Sequence, residues 1–600
     1  MAHQTQYRPH KVIREDRPDG TVLLRSGYPP SDVVATSSVW LRRWAVDRPD
    51  MVFLAERSGP GWRELPYAEA LQQVEAVAQA LLARGLGPET PILIISGNSV
   101  NHGVLSLAAH LVGIPTVPVA EQYALIPGAD KQLSYVAQLT RPAMVYAEDG
   151  EAFGRALALP ELAALQQIVT HNVPEGADAF ADLLAGAHVD LEPEEAKVGP
   201  DSVVKILMTS GSTSNPKGVE TTHRMMCANQ AMIVDALPFL QDRPPRIVDW
   251  LPWNHVFGGS HNFNMMLANG GSLYIDGGKP VKGLVDKTIE NNRLMNGTMA
   301  FNVPVGFAML RDAMREDPAL RETYFKDLDM LFYAGASLPQ DVWRDLHDMA
   351  VEVRGTAPLM NSSWGLTETG PAHMIQHELT DQSGVVGVPM TGGTVKLVPD
   401  DGDRWEVRVS GPNIFKAYFH DPEKTAEAFD DEGYFLTGDA MVFVDPDDPA
   451  KGMRFDGRIS EDFKLLTGIW VRAANMRLEL LPALAPLAQD VVITGQGQTE
   501  VGLLIVPSPA AVAAHELTDD NGIWRGAAFE DEIRKRLADF GSETRGTSSR
   551  IRRVLILSEP PSMADGEITA KGNLNFRKLL LRREDVLERL YSNDPAVIRL

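Results

Sequence analysis

Cysteine is nearly absent: Cys227 is the one thiol in 600 residues. One thiol forms no internal disulfide and no cysteine-built zinc site, so a stapled scaffold is excluded and a cytoplasmic setting is expected. Long apolar runs are lacking too. The first twenty residues carry charges and two prolines, and the most apolar stretch, residues 104–120, is broken by His110, Gly113 and two prolines. A membrane helix needs roughly 20 apolar residues, so neither a secretory leader nor a membrane span is expected. Positive charge is in deficit, with 56 Lys and Arg against 80 Asp and Glu and a net charge of −24. That field repels phosphate backbones, so nucleic acid is not expected as the main partner, while a local cationic pocket for a small anion stays compatible with it. No internal repeat and no long low-complexity tract is present. What is there, 44% hydrophobic and 23% charged residues, is the balance of an ordinary globular protein with room for several packed units.

Apolar runs of strand length alternate with helical patterns. Residues 66–84 carry Leu71, Val74, Val77, Ala78 and Leu81 at helical spacing. Strands are expected at 92–95, 116–119, 144–147, 203–208, 247–251, 272–275 and 330–333, which predicts α/β layers with parallel sheets. From about residue 385 short strands are joined by acidic, Gly/Pro-rich turns, and from about 459 mixed strand and helix patterns begin. The expected organisation is a large N-terminal α/β domain over 1–457, with a small β-rich subdomain at about 385–457. A smaller α+β C-terminal domain over 458–600 follows it.

The segment Thr209-Ser210-Gly211-Ser212-Thr213-Ser214-Asn215-Pro216-Lys217-Gly218 follows the strand at 203–208 and precedes a helical pattern starting near Thr222. Hydroxyls and backbone N–H groups donate, glycine lets a ligand approach, and Lys217 supplies a cation, a combination suited to a polyphosphate. It is not a Walker A loop, because Pro216 stands where that motif has its second glycine. The string resembles the signature loop of the adenylate-forming superfamily of acyl-CoA synthetases, peptide-synthetase adenylation domains and luciferases. Further motifs follow in that superfamily's order: Ser362-Ser363-Trp364-Gly365-Leu366-Thr367-Glu368, then Thr437-Gly438-Asp439, then Gly457-Arg458-Ile459-Ser460-Glu461-Asp462.

By that resemblance, Thr209, Ser210, Gly211, Ser212, Thr213 and Lys217 hold ATP phosphates. Ser362, Ser363, Trp364 and Gly365 border the nucleotide, with Trp364 against the adenine. Thr367 contacts the α-phosphate, Glu368 with Thr209 holds Mg²⁺, and Asp439 and Arg458 hold the ribose. Gly335, Ala336 and Ser337 run between adenine and acyl group, and Ser460 is the hinge of a mobile C-terminal domain. The acyl pocket falls to Trp253, His255, Phe257, Asn302, Val303 and Gly335, with His255 beside the incoming carboxylate. The catalytic lysine of the superfamily stands in Thr-x-x-Gly-Lys. Here Glu567-Ile568-Thr569-Ala570-Lys571-Gly572-Asn573 puts Asn573 in that place, and the role is assigned to Lys571.

Texture around Leu251-Pro252-Trp253-Asn254-His255, His261-Asn262-Phe263 and Leu273-Tyr274-Ile275-Asp276-Gly277-Gly278-Lys279-Pro280 is similar to that of bacterial feruloyl-CoA synthetases. The resemblance implies an ATP- and coenzyme A-dependent ligase that activates a hydroxycinnamic acid through an acyl-adenylate. Activation of another aryl or fatty acid, loading of a carrier protein, and a non-catalytic nucleotide-binding role remain alternatives, and a homodimer is compatible with all of them. Cys227 is expected as a buried helical thiol and not as a nucleophile.

Overall fold

The computed structural model describes residues 7–209, 216–335, 338–400, 402–542, 550–568 and 574–600. The expected phosphate-loop residues Ser210, Gly211, Ser212 and Thr213, the residues Ala336 and Ser337, and the lysine candidate Lys571 with Asn573 lie outside them.

Three sheets build the large N-terminal domain. A seven-stranded sheet orders its strands Lys217–Thr222, Val203–Thr209, Thr116–Pro118, Ile92–Ile94, Met144–Asp149, Gln166–His171 and Asp178–Ala179. All its pairs are parallel except the first, a hairpin in which Thr209 faces Lys217. The apolar runs 92–95, 116–119 and 144–147 in this sheet are fully buried, as parallel strands covered on both faces require. The helix read at residues 66–84 runs Tyr67–Ala83 and buries Ala70, Val74, Val77, Ala78 and Leu81 against this layer. A second, four-stranded sheet holds Arg246–Asp249, Ser272–Ile275, Val52–Ser58 and Gly61–Pro66 in that order.

The third sheet has eleven strands. Its parallel end comprises Met299–Asn302, Met330–Tyr333 and Leu359–Gly365. From there it continues antiparallel through Ala372–Ile375, Val385–Pro389, Met453–Arg458, Phe435–Phe443, Arg404–Ser410 and Thr394–Pro399 to the hairpin Val12–Asp16 and Val22–Ser26. The β-rich stretch expected near 385–457 is therefore continuous with the parallel layer, and the N-terminal hairpin completes its edge.

A smaller C-terminal domain has its own four-stranded sheet of Ala488–Thr494, Val501–Pro507, Ile551–Ile556 and Ile598–Arg599. Its two apolar clusters, around Leu480, Leu503, Phe529 and Val554 and around Leu504, Leu555, Leu579 and Leu590, are built, among the described residues, from Phe463 onward and are separate from the large domain's core. The helix His223–Ala236 starts at the place read from the sequence, with Thr222 capping it by accepting the Met225 N–H. Cys227 lies within it, 1% exposed, and burial pushes its thiol up to about 12. A thiol so placed is inert at neutral pH.

Candidate active site

The phosphate-loop hairpin fixes Lys217 opposite Thr209 at the end of two paired strands. The segment 417–419 lies alongside: Phe419 N–H donates to Gly218 O at 2.7 Å, and Val219 bridges Tyr418. That pairing brings Tyr418 under the lysine, whose Nζ stands 4.5 Å from the ring centroid. On its other side the Tyr418 hydroxyl donates to Glu368 Oε1 at 3.0 Å. Burial, with the Glu368 carboxylate beside it, raises the Tyr418 phenol far above its ordinary value, so it stays a donor. The Glu368 backbone is held as well, its carbonyl accepting from Phe415 N–H at 2.9 Å. Tyr418 thus joins Lys217 to Glu368, two residues 151 positions apart by their numbers. It belongs to no motif in the sequence, and only the strand pairing reveals it.

A second group forms on the eleven-stranded sheet. Asp439 and Arg458 are register partners on adjacent strands. Trp364 Nε1 donates to Asp439 Oδ2 at 2.8 Å, and Arg458 Nε lies 3.4 Å from Oδ1. The carboxylate is 2% exposed and its Oδ1 accepts no hydrogen bond among the described residues. Burial raises its pKa, opposed by Arg458 and by the Trp364 N–H. Such an acceptor, held ready and unsatisfied, fits a donor from a ligand. Trp364 itself packs in the core with Val219, Met225 and Phe415, so its placement is that of a support for Asp439.

Thr367 and Glu368 start a short 3-10 turn, Thr367–Thr369, at the end of the strand Leu359–Gly365. Thr367 is buried, as is Ser362, while Ser363 and Gly365 are half-buried. Gly365 has no room for a side chain: a Cβ there would stand 1.8 Å from Pro371 O. Gly335 follows the strand Met330–Tyr333 with φ +86, a conformation that favours glycine, and Val303 is its nearest neighbour across the turn. Asn302 and Val303 end the adjacent strand, Met299–Asn302. These residues therefore gather at the carboxyl ends of three parallel strands, where open α/β sheets bind ligands.

The expected acyl-wall residues divide. Trp253 is a core side chain, 4% exposed, with its ring against His102 and Phe263 at centroid distances of 5.2 and 4.9 Å. Asn302 is occupied structurally, its Oδ1 accepting from Trp250 Nε1 at 3.1 Å and from Val303 N–H at 2.9 Å. His255 is half-buried and its Nδ1 accepts from Phe257 N–H at 3.3 Å. Phe257 joins an aromatic cluster with Phe301, Phe332 and His261. It opens a π-helical turn, Phe257–Asn262, an irregularity found disproportionately at functional sites. The turn depends on Gly258 and Gly259, where a Cβ would come within 2.3 Å of Leu251 O and 2.2 Å of Trp253 O. Lys205, buried on the strand Val203–Thr209, donates from Nζ to Gly259 O at 2.6 Å and anchors that turn. Burial lowers the Lys205 pKa to about 8. Behind the turn, Asp249 accepts from Leu251 N–H and from Asn262 Nδ2, while burial pushes its carboxyl up to about 7.

Ser460 is exposed in the short turn Ile459–Glu461 between the two domains. Buried Arg404 ties this junction, pairing with Asp456 at 3.0 Å and with Asp462 at 2.5 Å.

No group of three His, Cys, Asp or Glu side chains among the described residues could hold a metal alone. Glu368 with one oxygen engaged by Tyr418 still fits Mg²⁺, which takes one or two carboxylates and completes its shell with phosphates and water.

Lys217 seated on Tyr418, the poised Asp439 carboxylate and the residues gathered at the parallel strand ends mark a candidate ligand site, and comparison with known proteins identifies the family. The model of the family described as AMP-binding enzyme matches residues 41–419, and the chain belongs to that family. It is 26% identical to 4-coumarate–CoA ligase 2 of Oryza sativa subsp. japonica, covering 94% of this chain and 97% of that protein. It is 27% identical to a feruloyl-CoA synthase of Amycolatopsis sp, covering 68% of this chain and 77% of that protein. A carboxylic acid reductase of Segniliparus rugosus is 24% identical over 89% of this chain, which spans 47% of that protein's length. Among solved structures, ATP-bound MatB of Rhodopseudomonas palustris superposes with a TM-score of 0.69 at 22% identity, over 92% of this chain and 99% of that one. The chain is an adenylate-forming enzyme with a large N-terminal and a smaller C-terminal domain.

Proposed function

We propose that the protein is an acid–thiol ligase that converts an aryl acid of the hydroxycinnamic class into its coenzyme A thioester, with ATP cleaved to AMP and pyrophosphate, in the cytoplasm. The observation that carries this reading is the presence of two ready-made groups, Lys217–Tyr418–Glu368 and Trp364–Asp439–Arg458, joined through one strand end, because Trp364 closes the strand Leu359–Gly365 and Glu368 stands in the turn that follows it. The first suits a triphosphate and the second a ribose. The relatives named for 4-coumarate and ferulate support the choice of acid.

In this reading Asp439 Oδ1 accepts a ribose hydroxyl and Arg458 covers the sugar. Lys217, its ammonium seated on the Tyr418 face, neutralises phosphate charge, with Ser210, Gly211, Ser212 and Thr213 completing the loop. Thr367 donates to the α-phosphate. Glu368 and Thr209 would hold Mg²⁺, which would neutralise charge on the phosphates. The substrate carboxylate oxygen attacks the α-phosphorus, the bond to pyrophosphate breaks, and the acyl-adenylate forms. Lys571 stabilises the charge that builds on these oxygens. The coenzyme A sulfur then attacks the acyl carbon and AMP leaves with the electron pair. Because the two steps need different groups beside the acyl carbon, the C-terminal domain turns about Ser460 between them. His255 borders the carboxylate, and Phe257, Val303 and Gly335 border the acyl chain.

A coenzyme A-dependent panel of ferulate, 4-coumarate, caffeate, benzoate, salicylate and medium-chain fatty acids tests the assignment. The hydroxycinnamates are expected to exceed the fatty acids in kcat/KM by about a hundredfold, the range one mismatched pocket produces. Preference for fatty acids over every aryl acid would overturn the aryl assignment. Thioester formed on a phosphopantetheinyl carrier and not on coenzyme A would overturn the choice of thiol.

A further inference from the structure

His261 is 1% exposed and sits among three aromatic rings, with centroids at 5.7 Å from Phe257, 5.7 Å from Phe301 and 5.1 Å from Phe332. Its Nδ1 lies 2.9 Å from Asn262 Oδ1, and Asn262 Nδ2 donates to Asp249 Oδ2 at 2.8 Å. With the amide so oriented, Asn262 offers its oxygen to the imidazole, and Nδ1 carries the hydrogen. Burial holds the ring neutral, lowering its pKa to about 4. A neutral imidazole with hydrogen on Nδ1 presents a lone pair on Nε2. That Nε2 has no hydrogen-bond partner among the described residues. A buried acceptor left open is costly and points to a partner outside the chain.

The position says which partner. Phe301 and Phe332 face each other in register on parallel strands, one residue before the ends that lead into Val303 and Gly335. The open lone pair is thus a polar point within an aromatic cluster whose Phe301 and Phe332 stand next to the strand ends proposed above to border the acyl chain. A carboxylate would be repelled by these ring faces and by the lone pair, so the reacting end of the acid belongs elsewhere. An O–H or N–H on the far end of a flat acyl group meets the requirement.

Resting on the aryl-acid reading, we infer that His261 selects acids whose ring carries a hydrogen-bond donor, accepting that donor at Nε2, with Asn262 and Asp249 fixing the tautomer. His261 is a specificity residue here, and Asn262 and Asp249 are positioning residues.

The test compares kcat/KM for cinnamates that differ at one ring position, carrying hydroxyl, amino, hydrogen or fluorine at carbon 3 or 4. In the full-length enzyme the hydroxyl and amino acids are expected to exceed the hydrogen and fluoro acids by about 10- to 100-fold at the position that faces His261, the effect of one buried hydrogen bond made or left unpaired. His261→Phe is expected to bring that ratio to about 1, and His261→Gln, which keeps an acceptor, to retain part of it. A merely structural histidine would lower all four acids alike and leave the ratio standing. Should either variant fail to fold, as judged by near-ultraviolet circular dichroism, the ratio in the unaltered enzyme still decides. Equal kcat/KM across the four substituents at both positions would overturn the inference while the aryl reading stands. No turnover of any cinnamate alongside rapid turnover of fatty acids would overturn the aryl reading, and the inference with it.

Discussion

Asp439→Asn is expected to remove most adenylate formation while leaving the fold as stable as before or more so. The two effects have one cause. In the folded protein the carboxylate is buried and its pKa is raised, so its ionised form costs stability at neutral pH. The amide oxygen of asparagine can still accept from Trp364 Nε1, which keeps the one close hydrogen bond the side chain makes. What is lost is the charge that faces Arg458 and the strong acceptor at Oδ1. Hydrogen bonds to a charged group contribute about 1.5–3 kcal/mol each, and a ribose offers two hydroxyls. The expected loss in kcat/KM for ATP is therefore about 10²- to 10⁴-fold, with thermal unfolding unchanged or shifted upward. Unchanged ATP kinetics would contradict the assignment of Asp439 to the nucleotide. Loss of activity together with a lowered Tm would make the residue a structural one.

Acidification is expected to unfold the protein well above the pH at which carboxylates protonate. His102, His223, His261 and His373 are buried, and burial lowers each pKa from 6.5 to about 4. Each folded-state value lies below the unfolded one, so the unfolded chain binds more protons between pH 6.5 and 4. Stability therefore falls as the pH is lowered through that window, by about 1.4 kcal/mol per group per pH unit. Four such groups acting together remove roughly 5 kcal/mol per unit, against a net stability of about 5–15 kcal/mol. Denaturant titrations from pH 7 to 4 are expected to show a midpoint that declines steeply below pH 6. A midpoint that stays level down to pH 5 would contradict this account of the buried imidazoles.

Much of the fold is legible in the sequence because its parallel strands are apolar throughout. Residues 272–275 and 330–333 read as strands and are strands with the same ends. Some strands that went unread carry little apolar signal. Val12–Asp16 carries three charged residues of five and holds its place by backbone pairing with Val22–Ser26. Lys217–Thr222 has a single aliphatic residue and is dictated by the hairpin it closes. At the site, Lys217, Glu368, Asp439 and Arg458 stand in motifs whose residue types match a nucleotide's charges and hydroxyls. Tyr418 stands in none, and its contact with both Lys217 and Glu368 follows from a strand bridge between distant segments. Trp253 shows the opposite limit. An aromatic residue beside a motif histidine reads as a pocket wall, but packing against His102 and Phe263 puts it in the core. His261 was in view in the sequence, yet its role depends on a π-helical turn made possible by two glycines pressed against carbonyls, which periodicity does not encode.

Coupling of a carboxylic acid to ATP is the step on which the proposed activity depends. Exchange of labelled pyrophosphate into ATP by the purified protein measures that coupling before any thiol is involved. The expected result is exchange that requires both Mg²⁺ and a hydroxycinnamic acid, and that ceases in Lys217→Ala. Absence of exchange with every carboxylic acid offered, or exchange that proceeds equally without acid, would contradict it.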